Sequence, residues 1–75
     1  MKELLATLAR NLVSQPELVE VIEEDQDGVM VLRLKVGDDD MGKVIGKQGR
    51  IARAIRTVVK AAAINENVKV NVEIS

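Results

Sequence analysis

The hydrophobic residues change their period along the chain, and each change marks an element. From Met1 to Ser14, Leu4, Leu5, Leu8, Leu12 and Val13 recur at three- and four-residue steps, the period of an amphipathic helix. Lys2, Glu3, Thr7, Arg10 and Asn11 fill the other faces. Pro16 ends the helix, because the residue before a proline avoids helical dihedrals. Leu18 to Glu24 reads as a strand rich in β-branched residues, with the adjacent apolar pair Val21-Ile22 breaking the alternation as a bulge or register change does. Asp25-Gln26-Asp27-Gly28 reads as a hairpin turn. Val29 to Val36 then alternates cleanly: Met30, Leu32, Leu34 and Val36 face one side, and Val29, Val31, Arg33 and Lys35 face a more solvated one.

The period lengthens again after Gly37. Met41 to Ile45 is a helix of little more than one turn. Arg50 to Asn65 is a full helix whose buried stripe is Ala52, Ile55, Val59 and Ala62, flanked by Val58 and Ala63. Asn65-Glu66-Asn67 closes it, Asn being tolerated in the left-handed position that ends helices. Val68, Val70, Val72 and Ile74 alternate with Lys69, Asn71 and Glu73 in a half-buried strand. The order α-β-β-α-α-β predicts an α+β two-layer sandwich, a three-stranded mixed sheet covered on one face by helices. The whole chain, 1–75, reads as one domain.

Composition narrows what such a sandwich can do. A 75-residue chain buries only about 60% of the surface exposed when unfolded, and this one has no aromatic residue to enlarge its core. Self-association or a partner is a natural source of further stability. Without His or Cys, the common general base, thiol nucleophile and zinc ligands are missing. Ser14 and Ser75 are the only serines, and neither lies in a nucleophile context. No catalytic role and no cofactor are therefore expected. No run approaches the ~20 apolar residues of a membrane span, and Lys2, Glu3 and Arg10 interrupt any leader-like start. A cytoplasmic protein is expected.

Net charge is −1, but the charge is segregated. From Met41 to Ile64 there are six cations (Lys43, Lys47, Arg50, Arg53, Arg56, Lys60) and no acid. From Glu17 to Asp27 there are six acids and no cation. A local positive field binds a polyanion whatever the total charge. Asp38-Asp39-Asp40 precede Met41 as helix-capping and loop acids, and their spacing is not that of a calcium loop.

Glycines in the basic segment allow three readings. Gly37 to Lys43 begins like a phosphate-binding G-x4-G-K loop, but Val44 stands where Ser or Thr must hold Mg²⁺, and the three aspartates would repel phosphate. A dinucleotide-binding G-x-G-x-x-G needs glycines two apart, and there are none. What remains is Gly46-Lys47-Gln48-Gly49, a G-x-x-G turn between two helices.

With Val44-Ile45 before it and a basic helix after it, this turn resembles the signature of the KH domain family. The element order resembles the type II arrangement, and the resemblance covers the whole chain. It is closest to the small single-domain bacterial proteins of the KhpA (YlqC) family, through Asp40 to Arg50 and Ala54-Ile55-Arg56-Thr57. One departure is Ala52, where many KH domains carry a bulky aliphatic, with Ile51 beside it where a polar residue is common. The bulky contact then falls to Ile55, and Ile51 becomes a candidate subunit contact.

The resemblance implies single-stranded RNA as the ligand, its backbone clamped by the G-x-x-G loop. Gly46 and Gly49 let phosphate and sugar approach the main chain. Lys47 adds a charge and Gln48 a neutral donor and acceptor. Lys43, Arg50 and Arg53 extend the contact. Val44 and Ile45, with part of the Val29–Val36 strand opposite, line an aliphatic groove for bases. Arg56 and Lys60 fit a solvated helix face as well as they fit a ligand. The family implies an RNA chaperone or post-transcriptional regulator. The alternative is a KH-fold interaction module that forms a homodimer, or pairs with a larger Jag/KhpB-type KH protein, with RNA binding secondary.

Overall fold

The computed structural model describes residues 1–74. Its elements are α1 (Lys2–Arg10), β1 (Glu20–Gln26), β2 (Val29–Lys35), α2 (Met41–Ile45), α3 (Arg50–Asn65) and β3 (Lys69–Ile74), with single 3₁₀ turns at Pro16–Leu18, Asp38–Asp40 and Lys47–Gly49. This is the expected α-β-β-α-α-β order. The strands form one sheet in the order β1-β2-β3. β1 and β2 are antiparallel, whereas β2 and β3 are parallel, because two helices intervene and return the chain to the same end of the sheet. The fold is therefore an α+β sandwich with a mixed three-stranded sheet.

The strand alternation sorts residues onto two faces. Val21 lies opposite Leu34, Met30 beside Val70, Leu32 beside Val72 and Leu34 beside Ile74. These residues pack under the helices with Leu5, Ala6 and Ala9 of α1, Val44 of α2, and Ile55 and Val59 of α3. No helix among the described residues is long and apolar enough to cross a membrane. On the open face, Arg33 at the centre of β2 forms ion pairs with Glu24 of β1 and Glu73 of β3. These partners hold the exposed Glu24 carboxyl below its usual range, the Gln26 amide acting first and Arg33 next. Val31 also faces the open side but is only 3% exposed. It is a short side chain in the central strand, in register with Glu24 and Asn71.

Several boundaries differ from the sequence expectation. α1 stops at Arg10 rather than Ser14. The Asn11 side-chain amide donates to the Thr7 carbonyl (2.8 Å), and the Leu12 N–H bonds the Ala9 carbonyl three residues back. Local bonds of this kind offer the backbone an alternative to helix. The buried face of α1 is Leu5, Ala6 and Ala9, and Leu12 is exposed. β1 begins at Glu20, since Pro16 starts a 3₁₀ turn that takes Leu18. Its pairing runs unbroken from Glu20–Lys35 to Gln26–Val29, so Val21-Ile22 is no bulge; Val21 faces the core and Ile22 the open side. The buried stripe of α3 ends at Ala63 rather than Ala62. Its C-terminus closes as expected on an Asn with positive φ, Asn67 (58°), with Val68 N–H bonding the Ala63 carbonyl and Asn67 N–H that of Ile64, the pairing of a Schellman motif.

The acid run Asp38–Asp40 departs furthest from expectation. Asp40 makes no side-chain cap to α2. It is fully buried and turns back toward the chain between α1 and β1. One oxygen accepts the Ser14 N–H (3.0 Å) and hydroxyl (2.7 Å), and the other accepts the Gln15 N–H (3.0 Å). Lys43 Nζ lies 3.2 Å away. The Ser14 hydroxyl and amide hold this carboxyl well below the ordinary aspartate value, against the opposing effect of burial. Such a group stabilises the fold fully above its unfolded pKa, near 3.8, and loses that contribution as pH falls toward its folded value. Asp40→Asn should lower Tm by a constant amount from pH 8 to pH 5. The gap to the unsubstituted chain should then narrow below about pH 4, as read from thermal melts across that range.

Candidate nucleic-acid interface

α2 ends because Gly46 takes φ 73°, ψ 174°, a region essentially restricted to glycine. Its N–H still closes the helix on the Gly42 carbonyl (2.9 Å). A β-carbon here would meet Ile51 Cγ1 at 2.6 Å, so position 46 excludes a side chain on two counts. Lys47-Gln48-Gly49 follow as one 3₁₀ turn in which Gln48 (φ 57°, ψ 25°) and Gly49 (φ 75°, ψ 16°) are left-handed. At Gly49 a β-carbon would meet nothing within 4 Å, so only its backbone conformation favours glycine. The loop thus reverses the chain while presenting Lys47 and Gln48 to solvent.

α3 starts directly from this turn and has no side-chain cap. The Arg50 N–H bonds the Lys47 carbonyl, and no carboxylate answers the positive end of the helix dipole behind the loop. The loop backbone is braced from α3: Arg53 Nη2 donates to the Gln48 carbonyl (2.9 Å). That bond braces Gln48, the one non-glycine residue of the loop with a positive φ.

The expected contact residues fall into distinct groups. Lys47, Gln48 and Arg50 are exposed, and Lys47 and Arg50 form no ion pair among the described residues. Gly46 and Gly49 supply the turn, and Ile45 is half-buried. Lys43 lies one helical turn back, with its side chain half-exposed and held by Asp40. Arg53 braces the loop. Val44 is 0% exposed and belongs to the core, so it supports the turn from beneath and has no surface to offer a ligand. The strand beside α3 at the sheet edge is β3 rather than β2, because β2 is paired on both sides. Arg56, half-buried, donates from Nε to the Val72 carbonyl on that strand (3.2 Å). Sequence reasoning missed the roles of Asp40 and Arg56, since nothing in either one's neighbours distinguishes an acid or arginine pointing inward. Ile51, considered a subunit contact, packs against the core beneath Gly46.

A two-layer sandwich of this order, with a G-x-x-G turn joining α2 to an uncapped basic helix, defines a type II KH domain. The family model for the KhpA/KhpB KH domain matches residues 2–74. The chain is 64% identical to the RNA-binding protein KhpA of Clostridium perfringens and 60% identical to that of Clostridium acetobutylicum, in each case over 99% of both chains. It is 57% identical to KhpA of Caldanaerobacter subterraneus over the same span. Among solved structures, Era of Aquifex aeolicus superposes with a TM-score of 0.64 at 18% identity, over 97% of this chain and 28% of that one, a likeness of fold. The chain belongs to the KhpA/KhpB KH-domain family.

The two loop glycines should differ in their tolerance of a methyl group. Gly49→Ala meets only the left-handed penalty, about 1–2 kcal/mol. Gly46→Ala adds the clash with Ile51 to a forbidden backbone region, and a cost of about 3 kcal/mol or more is expected. Urea midpoints of the two variants measure the order, and equal midpoints would contradict it.

Proposed function

We propose that the chain is a single-stranded RNA-binding protein whose Gly46–Gly49 loop grips the nucleic-acid backbone. The observation that carries this reading is the uncapped start of α3 behind a side-chain-poor turn, with Lys47 and Arg50 unpaired beside it. Phosphate placed there meets backbone N–H groups, a helix N-terminal dipole and two mobile cations. Gly46 and Gly49 let it approach the main chain, and Gln48 hydrogen-bonds sugar or phosphate. Lys43 and Arg53 act from behind the loop, the one partly neutralised and the other bracing. The names of the relatives, RNA-binding proteins, support RNA as the polymer. With no aromatic side chain for base stacking, sequence selectivity is weak and contact runs through the backbone. This behaviour suits an RNA chaperone or post-transcriptional regulator in the cytoplasm.

Replacing Lys47 and Gln48 together by Asp tests the clamp. Asp tolerates the left-handed conformation of position 48, so the fold survives while two carboxylates face the phosphate. Binding to a short unstructured RNA should be lost in a filter assay with Tm nearly unchanged. Retained binding would overturn the clamp. In the unsubstituted chain, affinity should fall with salt along a shallow slope, because few phosphates are neutralised.

A second reading, a module that pairs with another copy or with a larger Jag/KhpB-type KH protein, is favoured by a groove between α1 and α3. It has a volume of about 370 Å³ and is lined by Leu8, Leu12, Ile51, Ala54, Ile55 and Val58. Leu12 and Val58 are 38% and 45% exposed, so the groove presents a contiguous apolar surface to a partner. Val58→Asp should leave the monomer folded and RNA affinity per chain unchanged. If this face self-associates, the substitution should shift the sedimentation coefficient from dimer to monomer; a chain already monomeric at high concentration sinks pairing with another copy and leaves only the larger partner.

A further inference from the structure

The loop carries its conformational cost at position 48. Gln48 lies at φ 57°, ψ 25°, a left-handed backbone that glycine adopts freely and other residues resist. Nearby, at Gly46 (φ 73°) and Gly49 (φ 75°), the chain meets positive φ with glycine. At position 48 it keeps a side chain, and Arg53 reaches back five residues to donate from Nη2 to the Gln48 carbonyl (2.9 Å). Arg53 is exposed and forms no ion pair among the described residues. Its guanidinium was free to point at solvent or at an acid, and it is committed to a neutral carbonyl of the loop.

We propose that Arg53 is a positioning residue for RNA binding: through the Gln48 carbonyl it keeps the loop in its gripping shape before RNA arrives, and its charge on phosphate is not what it contributes. The proposal rests on the RNA-clamp reading and says how the clamp is kept ready. Positions 48 and 53 then work as a pair. A residue with a side chain at 48 needs the brace from 53, and glycine at 48 does without it.

Pre-organisation and charge leave different marks on binding. A loop that visits the gripping shape only part of the time binds more weakly in proportion to that fraction. The loss falls on the association rate, since fewer encounters find the loop ready. Losing a phosphate contact instead speeds dissociation and makes the salt dependence shallower by about one counterion.

Two replacements at one exposed position separate these effects. Arg53→Met keeps the aliphatic stem and removes donor and charge together. Arg53→citrulline, made by chemical synthesis of the 75-residue chain, keeps an NH₂ donor and removes the charge alone. Affinity for a short unstructured oligoribonucleotide should fall about fivefold with Met, through slower association, and stay within about twofold with citrulline. In a chain that already carries Gln48→Gly, the Met replacement should change affinity by less than about twofold. Salt dependence should be the same with and without Arg53. Equal losses with Met and citrulline, together with a shallower salt dependence, would make Arg53 a phosphate contact and overturn the proposal. An equal loss from Arg53→Met with and without Gln48→Gly would overturn it as well, because the brace would not be acting on position 48. A chain with Lys47 and Gln48 both replaced by Asp is measured alongside. If that chain loses binding while Arg53→Met binds like the unsubstituted protein, the positioning role is overturned and the clamp stands. If the double-Asp chain still binds, the clamp itself fails.

Discussion

The turn between α2 and α3 closes only because position 46 has no side chain. Its backbone lies in a region that other residues avoid, and Ile51 occupies the space a β-carbon would need. Ile51 is thereby fixed from above by the loop and from below by the core. The contact seats the loop on α3, whose start carries no side-chain cap; a capping Ser or Asp at position 49 would have answered the helix N–H groups from within the chain.

The charges around the loop are sorted by what they hold. Six cations lie between Met41 and Ile64. Lys43 is tied to Asp40, Arg53 to the Gln48 carbonyl, and Arg56 to the edge carbonyl of Val72. Lys47, Arg50 and Lys60 remain outside every ion pair and side-chain hydrogen bond among the described residues. Only Lys43 is offset by an acid; Arg53 and Arg56 keep their charge but have their side chains committed to backbone carbonyls, and the two cations nearest the loop are among the uncommitted ones. The acids are sorted too. Glu24 and Glu73 flank Arg33 on the open face of the sheet.

Much of this was legible in the sequence, and what was not has a common cause. α2 and α3 have the expected bounds, and the sheet pairs through the expected alternation. The C-terminal stop of α3 at Asn67 follows from the side-chain chemistry of asparagine. Of the expected N-terminal face, Leu5, Leu8 and Val13 do face the core, but Leu12 is exposed, and Ala6 and Ala9 are buried, which a pattern dominated by leucines passes over. At Val44-Ile45 the pattern shows two aliphatics and cannot say which is inside. Asp40 was read as a cap because it stands with Asp38 and Asp39 just before Met41; its partners Ser14 and Gln15 stand some twenty-five residues away.

Asp40 also explains how the proposed nucleic-acid site can rest on so small a core. α2 is five residues long, too short to be stable on its own propensity, and Lys43 and Gly46 depend on its position. Val44 anchors one side of it in the core. The Asp40 carboxylate anchors its start to the chain leaving α1, through three hydrogen bonds and the Lys43 pair. A buried carboxylate with every contact satisfied fixes orientation as an aliphatic contact cannot, because hydrogen bonds fail when the donor turns away. Remove Asp40 and α2 still has Val44 to hold its depth, but nothing to hold its rotation. The N-terminal helix is thus coupled to the loop by geometry as well as by packing: the segment leaving α1 carries Ser14 and Gln15, and their bonds to Asp40 set the direction in which Lys43 and Gly46 face.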